Sequence, residues 1–172
     1  MEAILCGIIG GLVGSSLFLI ILSRFRPKLA ISKVMSVAEY EGKKVYSFKV
    51  LNIGSRRAIS IRAELYIIGY RAVKGASGRG KKYYQIPLLK EHFIRLEPLG
   101  EKSGEFSSFE FSTDIDLEAE WKSKKESYML CFVTAQDDLT SFNKTFEVSY
   151  DSLNESLKKG RFGYGKDMTV HS

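Results

Sequence analysis

Hydrophobic residues at the start of this chain form one long uninterrupted run. No charge lies within Ala3–Leu22, and Arg24, Arg26 and Lys28 follow directly. As a helix rising about 1.5 Å per residue, this run is about 30 Å long, the thickness of a bilayer's hydrocarbon core. The pattern predicts one N-terminal transmembrane helix, with residues 1–26 forming a membrane anchor and its basic flank.

The charges beside this run predict its orientation. A cleaved signal peptide is the main alternative, but the chain begins Met1-Glu2 without Lys or Arg, and Ser23–Arg26 is a poor cleavage site. The three basic residues lie only at the C-terminal end of the run. The positive-inside rule therefore predicts an N-terminus outside and a cytoplasmic C-terminal domain. The same residues either set topology alone or also contact anionic lipid, which makes membrane lipid a predicted partner.

Small residues recur at four-residue spacing within the apolar run. They are Gly7, Gly11 and Ser15 in one series and Gly10 and Gly14 in the other. This spacing lets two helices approach closely, so it predicts helix packing and a homo-oligomer. The alternative is that glycine is simply common in membrane helices.

The rest of the chain shows the two-residue period of β-strands. Residues two apart share one face of a strand, and turn residues separate the runs at spacings near those of a sandwich. We therefore predict a mainly β, antiparallel β-sandwich over residues 27–157 and a flexible tail over 158–172. The alternating runs are Tyr46–Val50, Ile59–Ile67, Tyr84–Leu88, Tyr128–Phe132 and Phe142–Tyr150. The only predicted helical turn lies within Asp114–Lys125, with Thr113 as its cap.

Charge and cysteine content exclude two classes of protein. The 26 Lys and Arg exceed the 20 Asp and Glu by a net charge of +6, and the basic residues are dispersed. A nucleic-acid-binding protein would gather them on one face, so we predict no nucleic-acid partner. Cys6 and Cys131 lie in separate apolar runs and do not form a disulfide framework, which is typical of a reducing compartment.

One stretch resembles a known family. Phe48–Arg56 reads Phe-Lys-Val-Leu-Asn-Ile-Gly-Ser-Arg and precedes a long strand. It is similar to the Phe-Arg-Val-x-Asn-x-Arg stretch in the cytoplasmic domain of inward-rectifier potassium channels. Further segments resemble that domain's proline-containing segments and closing hairpin: Ile86–Leu88, Leu96–Leu99, Tyr128–Thr134, Phe146–Tyr150 and Gly160–Phe162. The resemblance covers about residues 30 to 165, and it implies an immunoglobulin-like β-sandwich, often in a ring of four.

The ion-conducting part of that family is missing from this pattern. A potassium channel needs two membrane helices and a Thr-Val-Gly-Tyr-Gly filter. Gly163-Tyr164-Gly165 follows Arg161-Phe162 near the C-terminal end of the sequence, far from any second span. The family's ion conduction therefore does not carry over.

A second stretch imitates a phosphate-binding loop. Residues 75–81 fit the Gly-x4-Gly-Lys spacing, but Lys82 stands where Ser or Thr should bind magnesium, and the residues that follow are typical of a strand. The ordinary interpretation is a flexible basic hairpin loop. A weak anion or partner contact is the alternative, and it would use Lys74, Arg79, Lys81 and Lys82.

Catalytic and metal-binding patterns are not evident. His92 and His171 are the only histidines, and no Cys/His cluster has metal-ligand spacing. Cys131 between Leu130 and Phe132 is typical of a small core residue. The acidic residues Asp116, Glu118 and Glu120 are typical of a solvated helix face, and Trp121 beside them either anchors the core or contacts a partner. We predict no enzyme, no cofactor and no metal.

Three functional hypotheses remain. The first is a membrane-anchored, self-associating β-sandwich that binds a protein or lipid partner through loops or an exposed strand edge. The second is a membrane-disrupting effector of a microbial defence or toxin system, triggered through the sandwich. The third is an auxiliary subunit of a channel or transporter.

Overall fold

The computed structural model describes residues 2–23, 26–72, 79–100, 106–124 and 126–172. Two five-stranded sheets and a small two-stranded sheet account for most of them. The helices are α1 (Glu2–Ser23), α2 (Leu117–Lys122) and α3 (Leu153–Ser156). The strands are β1 (Leu29–Ile31), β2 (Met35–Tyr40), β3 (Lys43–Asn52), β4 (Ala58–Ala72), β5 (Arg79–Ile86), β6 (His92–Leu96), β7 (Ser108–Thr113), β8 (Tyr128–Asp137), β9 (Asn143–Tyr150), β10 (Leu157–Lys159), β11 (Arg161–Phe162) and β12 (Val170–His171).

Strand β3 is the centre of the first sheet. It pairs antiparallel with β7 along one edge and with β1 and β2 along the other. β10 adds to β2 in parallel. The prediction of a purely antiparallel sandwich is therefore corrected, because the first sheet is mixed.

Strand β4 is the centre of the second sheet, which is antiparallel throughout. Its 15 residues pair on one edge with β6 and then β5, and on the other edge with β8, which pairs in turn with β9. β5 and β6 can share an edge because each uses a different half of β4.

The hydrophobic core lies between these two sheets. Alternate residues of β3 and β4 supply it, as the two-residue period predicts. On β8 the core face carries Met129, Cys131 and Val133, which confirms Cys131 as a core residue, whereas the predicted series of Tyr128, Leu130 and Phe132 lies on the other face. The largest fully buried core residues are Met35, Tyr46, Phe48, Phe111, Ile61, Leu65, Ile67, Leu96, Leu117, Met129 and Tyr150.

Asp116, rather than the predicted Thr113, caps the short helix α2. Its carboxylate accepts the N–H of Ala119 at 3.1 Å and the hydroxyl of Tyr46 at 3.1 Å. These two bonds hold the pKa of Asp116 below its usual range, and the bond from the Ala119 N–H has the largest effect. Burial, together with Asp116, raises the pKa of Tyr46 to about 12. The cap thus ties the helix to the central strand of the first sheet.

The segment predicted as a flexible tail, residues 158–172, contributes β-structure. β10 extends the first sheet, and β11 pairs with β12. Gly163 N–H donates to the carbonyl of Thr169 at 3.0 Å within this segment. Gly160 has a φ of +124°, where a Cβ would overlap the backbone of His171, so this turn requires glycine.

The structure corrects the predicted transmembrane helix. The side chains of α1 are described at Gly7 and from Gly10 to Leu22. Within the described residues, no helix combines the length and the apolar character that a membrane crossing requires. The correction extends to the single-pass membrane localisation, with its N-terminus outside and its cytoplasmic C-terminal domain.

A buried carboxylate closes the turn between β8 and β9. Asp137 is fully buried, and it accepts both the N–H and the hydroxyl of Thr140 at 2.9 Å, the N–H of Leu139 at 3.0 Å and the Arg56 guanidinium at 3.1 Å. Burial alone would raise the pKa of Asp137, but the bonds from Thr140 and Leu139, together with Arg56, hold it below its usual value.

We expect Asp137→Asn to lower the free energy of unfolding by about 1–3 kcal/mol near neutral pH, because the Arg56 pair is lost. A carboxylate with a depressed pKa stabilises the fold above its unfolded pKa of about 3.9, and this contribution disappears as the pH falls below it. Urea unfolding at several pH values should therefore show the variant converging on the wild type in acid. Asp138→Asn, at the exposed neighbour, is the matched control, and an equal loss in both variants would contradict the assignment.

Candidate partner-binding surface

An apolar groove runs along β6, an edge strand of the second sheet. Its volume is about 480 Å³, and its lining residues are Phe93, Ile94, Arg95, Glu97 and Phe106. Grooves of this size bind small ligands or protruding side chains of a partner. Because the lining is mainly apolar, an apolar group is the occupant that it favours.

Phe93, which lines this groove, belongs to a group of packed aromatic rings. The ring of Phe93 on β6 stacks on Phe109 of β7 with centroids 3.9 Å apart, and Phe109 meets Phe111 edge-on at 4.9 Å. These contacts join the second sheet to the first. The Lys90 ammonium lies 5.1 Å from the Phe93 ring and 5.2 Å from the Phe109 ring, within cation–π range.

Two apolar side chains of the groove face water. Ile94 is 83 % exposed and Phe106 is 64 % exposed. The N–H of Glu97 donates to the carbonyl of Phe106 at 3.0 Å and holds Phe106 beside the end of β6. Large, exposed apolar side chains that are fixed by the backbone are typical of sites that a partner covers.

A β-bulge in β4 lies across the ladder from Ile94. Ile59 pairs with Arg95 and Ile61 with Phe93, which places Ser60 opposite Ile94. Ser60 has a φ of +50°, and the register with β8 shifts at this point. Bulges bend a strand and redirect its side chains, and they occur often beside functional sites.

Charged side chains border one end of the groove. The Glu97 carboxylate forms salt bridges with Arg57 at 2.8 Å and with Arg95 at 3.4 Å. The Asp138 carboxylate lies 3.9 Å from Arg57. The hydrogen bond that Arg57 donates to Glu97, followed by the charge of that carboxylate, raises the pKa of Arg57. These exposed pairs orient polar groups around the groove and contribute little to stability.

Aromatic side chains also cover the outer face of the second sheet. Tyr66 lies edge-on to Tyr83 at 6.3 Å and to Phe132 at 6.1 Å, and Tyr83 is 56 % exposed. Lys81 donates to the Tyr128 hydroxyl at 3.2 Å. These residues, Tyr66, Tyr83, Tyr128 and Phe132, are here named the tyrosine face.

Two residues of the predicted anion loop, Lys81 and Lys82, have side chains that the structure describes. Lys74 lies outside the described residues, and Arg79 is described only by its backbone at the start of β5. Lys81 points to the tyrosine face, whereas Lys82 points to the opposite face, 4.7 Å from the ring of Tyr84. Successive residues of a strand point to opposite faces, so Lys81 and Lys82 do not face one anion together.

The predicted helix-packing residues Gly7, Gly10, Gly11, Gly14 and Ser15 lie exposed on α1. A Cβ built on any of these glycines meets no atom within 4 Å.

The basic flank is described in part. Arg24 lies outside the described residues, and Arg26 and Lys28 are exposed. The Lys28 carbonyl accepts the N–H of Ile53 at 3.0 Å.

The residues that sequence analysis weighed for catalysis have structural roles. His92 is exposed on β6, and Cys131 is buried in the core, where burial raises the pKa of its thiol far above its usual value. Trp121 is 5 % exposed and donates its ring N–H to the carbonyl of Ser127 at 3.0 Å, as a core anchor does. Glu118 pairs with Lys44 at 3.5 Å, and Glu120 pairs with Lys124 at 2.6 Å.

One cluster near the C-terminal end combines an acid, a hydroxyl and a histidine. Both Asp167 at 2.7 Å and Thr169 at 2.8 Å contact the Nε2 atom of His171. A relay needs its two partners on different ring nitrogens, so this cluster is a turn and not a catalytic triad. Within the described ranges, no three His, Cys, Asp or Glu side chains are grouped to hold a metal.

The groove residues were not predicted from the sequence. The available signals were the adjacent Phe93 and Ile94 in a short edge strand and the lone apolar Phe106 in a polar stretch. Phe93 and Phe109 meet only through tertiary packing, which local patterns do not encode.

No protein-family model and no curated protein matches this chain. Among solved structures, it is similar to Spo0M, a sporulation control protein from Bacillus subtilis, at 10 % identity and a TM-score of 0.33, over 73 % of this chain and 48 % of that one. It is also similar to a structural-genomics target, SoR45, at 11 % identity and a TM-score of 0.30, over 74 % of this chain and 88 % of that one. The chain thus spans about half of Spo0M. Neither likeness carries an argument about fold or function, and the resemblance to inward-rectifier domains stays a prediction.

We expect Cys131 to resist alkylation in the folded protein, because its thiol is buried and its pKa is raised. Mass spectrometry after iodoacetamide treatment should show labelling of Cys131 only as denaturant unfolds the chain. Full labelling of the native protein within minutes would show that this part of the core opens readily.

Proposed function

We propose that this chain is a non-enzymatic β-sandwich module that binds a protein partner through the groove along β6. The observation that carries this proposal is the exposure of Ile94 and Phe106 around a groove of about 480 Å³. Edge strands normally carry charges or prolines that prevent pairing with other chains. β6 instead presents an isoleucine at its centre, which supports a role in recognition.

The chemistry of the described residues favours binding over catalysis. The groove contains apolar side chains and mutually paired charges, with no nucleophile beside a base. An extended segment that places one apolar side chain between Ile94 and Phe106 matches this lining, and strand addition is a common way for sheets to bind such segments.

The decisive experiment compares Ile94→Asp with wild type in a quantitative affinity purification, followed by a dissociation constant for each protein recovered. Because Ile94 is exposed, its replacement leaves the core intact, and we expect binding to weaken about tenfold or more. Tyr40→Asp is the matched control, since Tyr40 is 62 % exposed at the end of β2 in the other sheet. Equal affinity of both variants for every partner would contradict the proposal.

The earlier effector hypothesis required a helix that spans a membrane, and it loses that basis with the corrected anchor. Self-association does not depend on such a span. The large apolar side chains described in α1, Leu12, Val13, Leu17, Phe18, Leu19, Ile20 and Ile21, are 47–65 % exposed. We infer that α1 packs against the same helix of a second copy, because water disfavours so much exposed apolar surface.

Replacing Gly11 and Gly14 together by Ile should weaken self-association about tenfold, because the added branched side chains increase the distance between two packed helices. Sedimentation velocity of the full chain measures this change. Ser16→Ile, on another side of α1, is the control. An unchanged oligomer in the double variant would contradict packing through the glycine positions.

A further inference from the structure

Lys49 is a buried lysine on the outer face of the first sheet. Its neighbours on β3, Phe48 and Val50, belong to the core, so Lys49 points away from it. The residue is nevertheless only 2 % exposed. Lysines are almost never this buried unless their charge is paired. The cover is residues 160–172, here named the C-terminal segment.

Hydrogen bonds fix this segment to three strands of the sheet. The Lys49 ammonium donates to the carbonyls of Gly163 at 2.5 Å and Asp167 at 2.9 Å. The Ser108 hydroxyl on β7 donates to the Gly165 carbonyl at 2.9 Å, and Gly160 N–H donates to Val37 of β2 at 3.0 Å. The segment therefore lies across β2, β3 and β7.

The segment has its own turn, which presents the two carbonyls together. The Asp167 carboxylate accepts the Thr169 N–H at 2.9 Å and the Thr169 hydroxyl at 2.6 Å. Gly163 packs directly against this carboxylate, and a Cβ on Gly163 would overlap it. Because these contacts lie within the segment, its turn does not depend on the sheet below.

The electrostatics of Lys49 allow two states. In the docked state, burial lowers the pKa of Lys49, while Glu110 on β7 and Asp167 oppose the shift. Burial likewise raises the pKa of Glu110, whereas the charges of Lys49 and Arg161 act to lower it. If the segment lifts, water replaces the two carbonyls around the ammonium, so no buried charge is left unpaired. A core contact lacks this second, solvated state.

We propose that the C-terminal segment is a releasable latch, which Lys49 pins to the outer face of the first sheet and which opens while the sandwich stays folded. Opening exposes Lys49 and Ser108, and it also uncovers Phe162 of the segment, which is 8 % exposed in the docked state. Segments with few core contacts and their own hydrogen bonds open locally at lower cost than the whole domain. The latch is independent of the groove along β6, so either proposal can fail alone.

The test is limited trypsin digestion of the full chain carrying Lys49→Met. Methionine retains much of the apolar volume but donates no hydrogen bond to Gly163 or Asp167. We expect cleavage after Arg161 and Lys166 to accelerate about tenfold, while the fluorescence of the buried Trp121 stays native. Lys43→Met, an exposed lysine on the same strand, should cleave at the wild-type rate.

A second variant, Gly163→Ala, tests the latch without touching the lysine. Its methyl group displaces the Asp167 carboxylate, so it should accelerate the same two cleavages and also leave Trp121 native. Wild-type cleavage rates in both variants would overturn the proposal. Loss of the Trp121 signal together with cleavage would overturn it too, because the segment would then unfold only with the whole domain.

Discussion

The pairing of β4 is the constraint on which the second sheet depends. One 15-residue strand carries β6 and β5 on the same edge and β8 on the other. Because two strands share one edge, the chain must leave the sheet between Ile86 and His92 before it returns as β6. In this connecting segment the Leu89 N–H donates to the Ser112 carbonyl on β7 at 2.8 Å. This hydrogen bond joins the two sheets.

This arrangement also explains why the groove is open. β6 has five residues and pairs with the half of β4 that contains the bulge at Ser60. A short strand at an edge buries only part of its side chains. Phe93 reaches the core and stacks on Phe109, whereas Ile94 on the other face has no packing partner of comparable size. The fold therefore positions an apolar side chain in water, beside paired charges that stay hydrated.

Much of the fold was predictable, because a strand that buries one face has apolar residues at every second position. The alternation through Phe48 in β3 and Leu65 in β4 was confirmed. On β8 two apolar series interleave and alternation alone does not choose between them, so Cys131 was predicted correctly as a core residue while the series through Phe132 was not. The anchor was predicted from the length of the uncharged run and its basic flank, and no described helix meets the requirements for a membrane span. Lys49 was not predictable either, because its burial depends on a segment more than a hundred residues away along the chain.

Site-specific photo-crosslinking tests the central claim, that β6 is the recognition edge, most directly. A photoreactive amino acid would replace Ile94, Tyr83 or Leu139 in turn, and the crosslinked products would be identified after irradiation in the native cell. Position 94 should capture one defined protein partner, while Leu139, which lies beyond the charged border of the groove, should capture that partner at most weakly. Crosslinks from Tyr83 on the tyrosine face with none from position 94 would contradict the account and move the interaction to the open face of the second sheet.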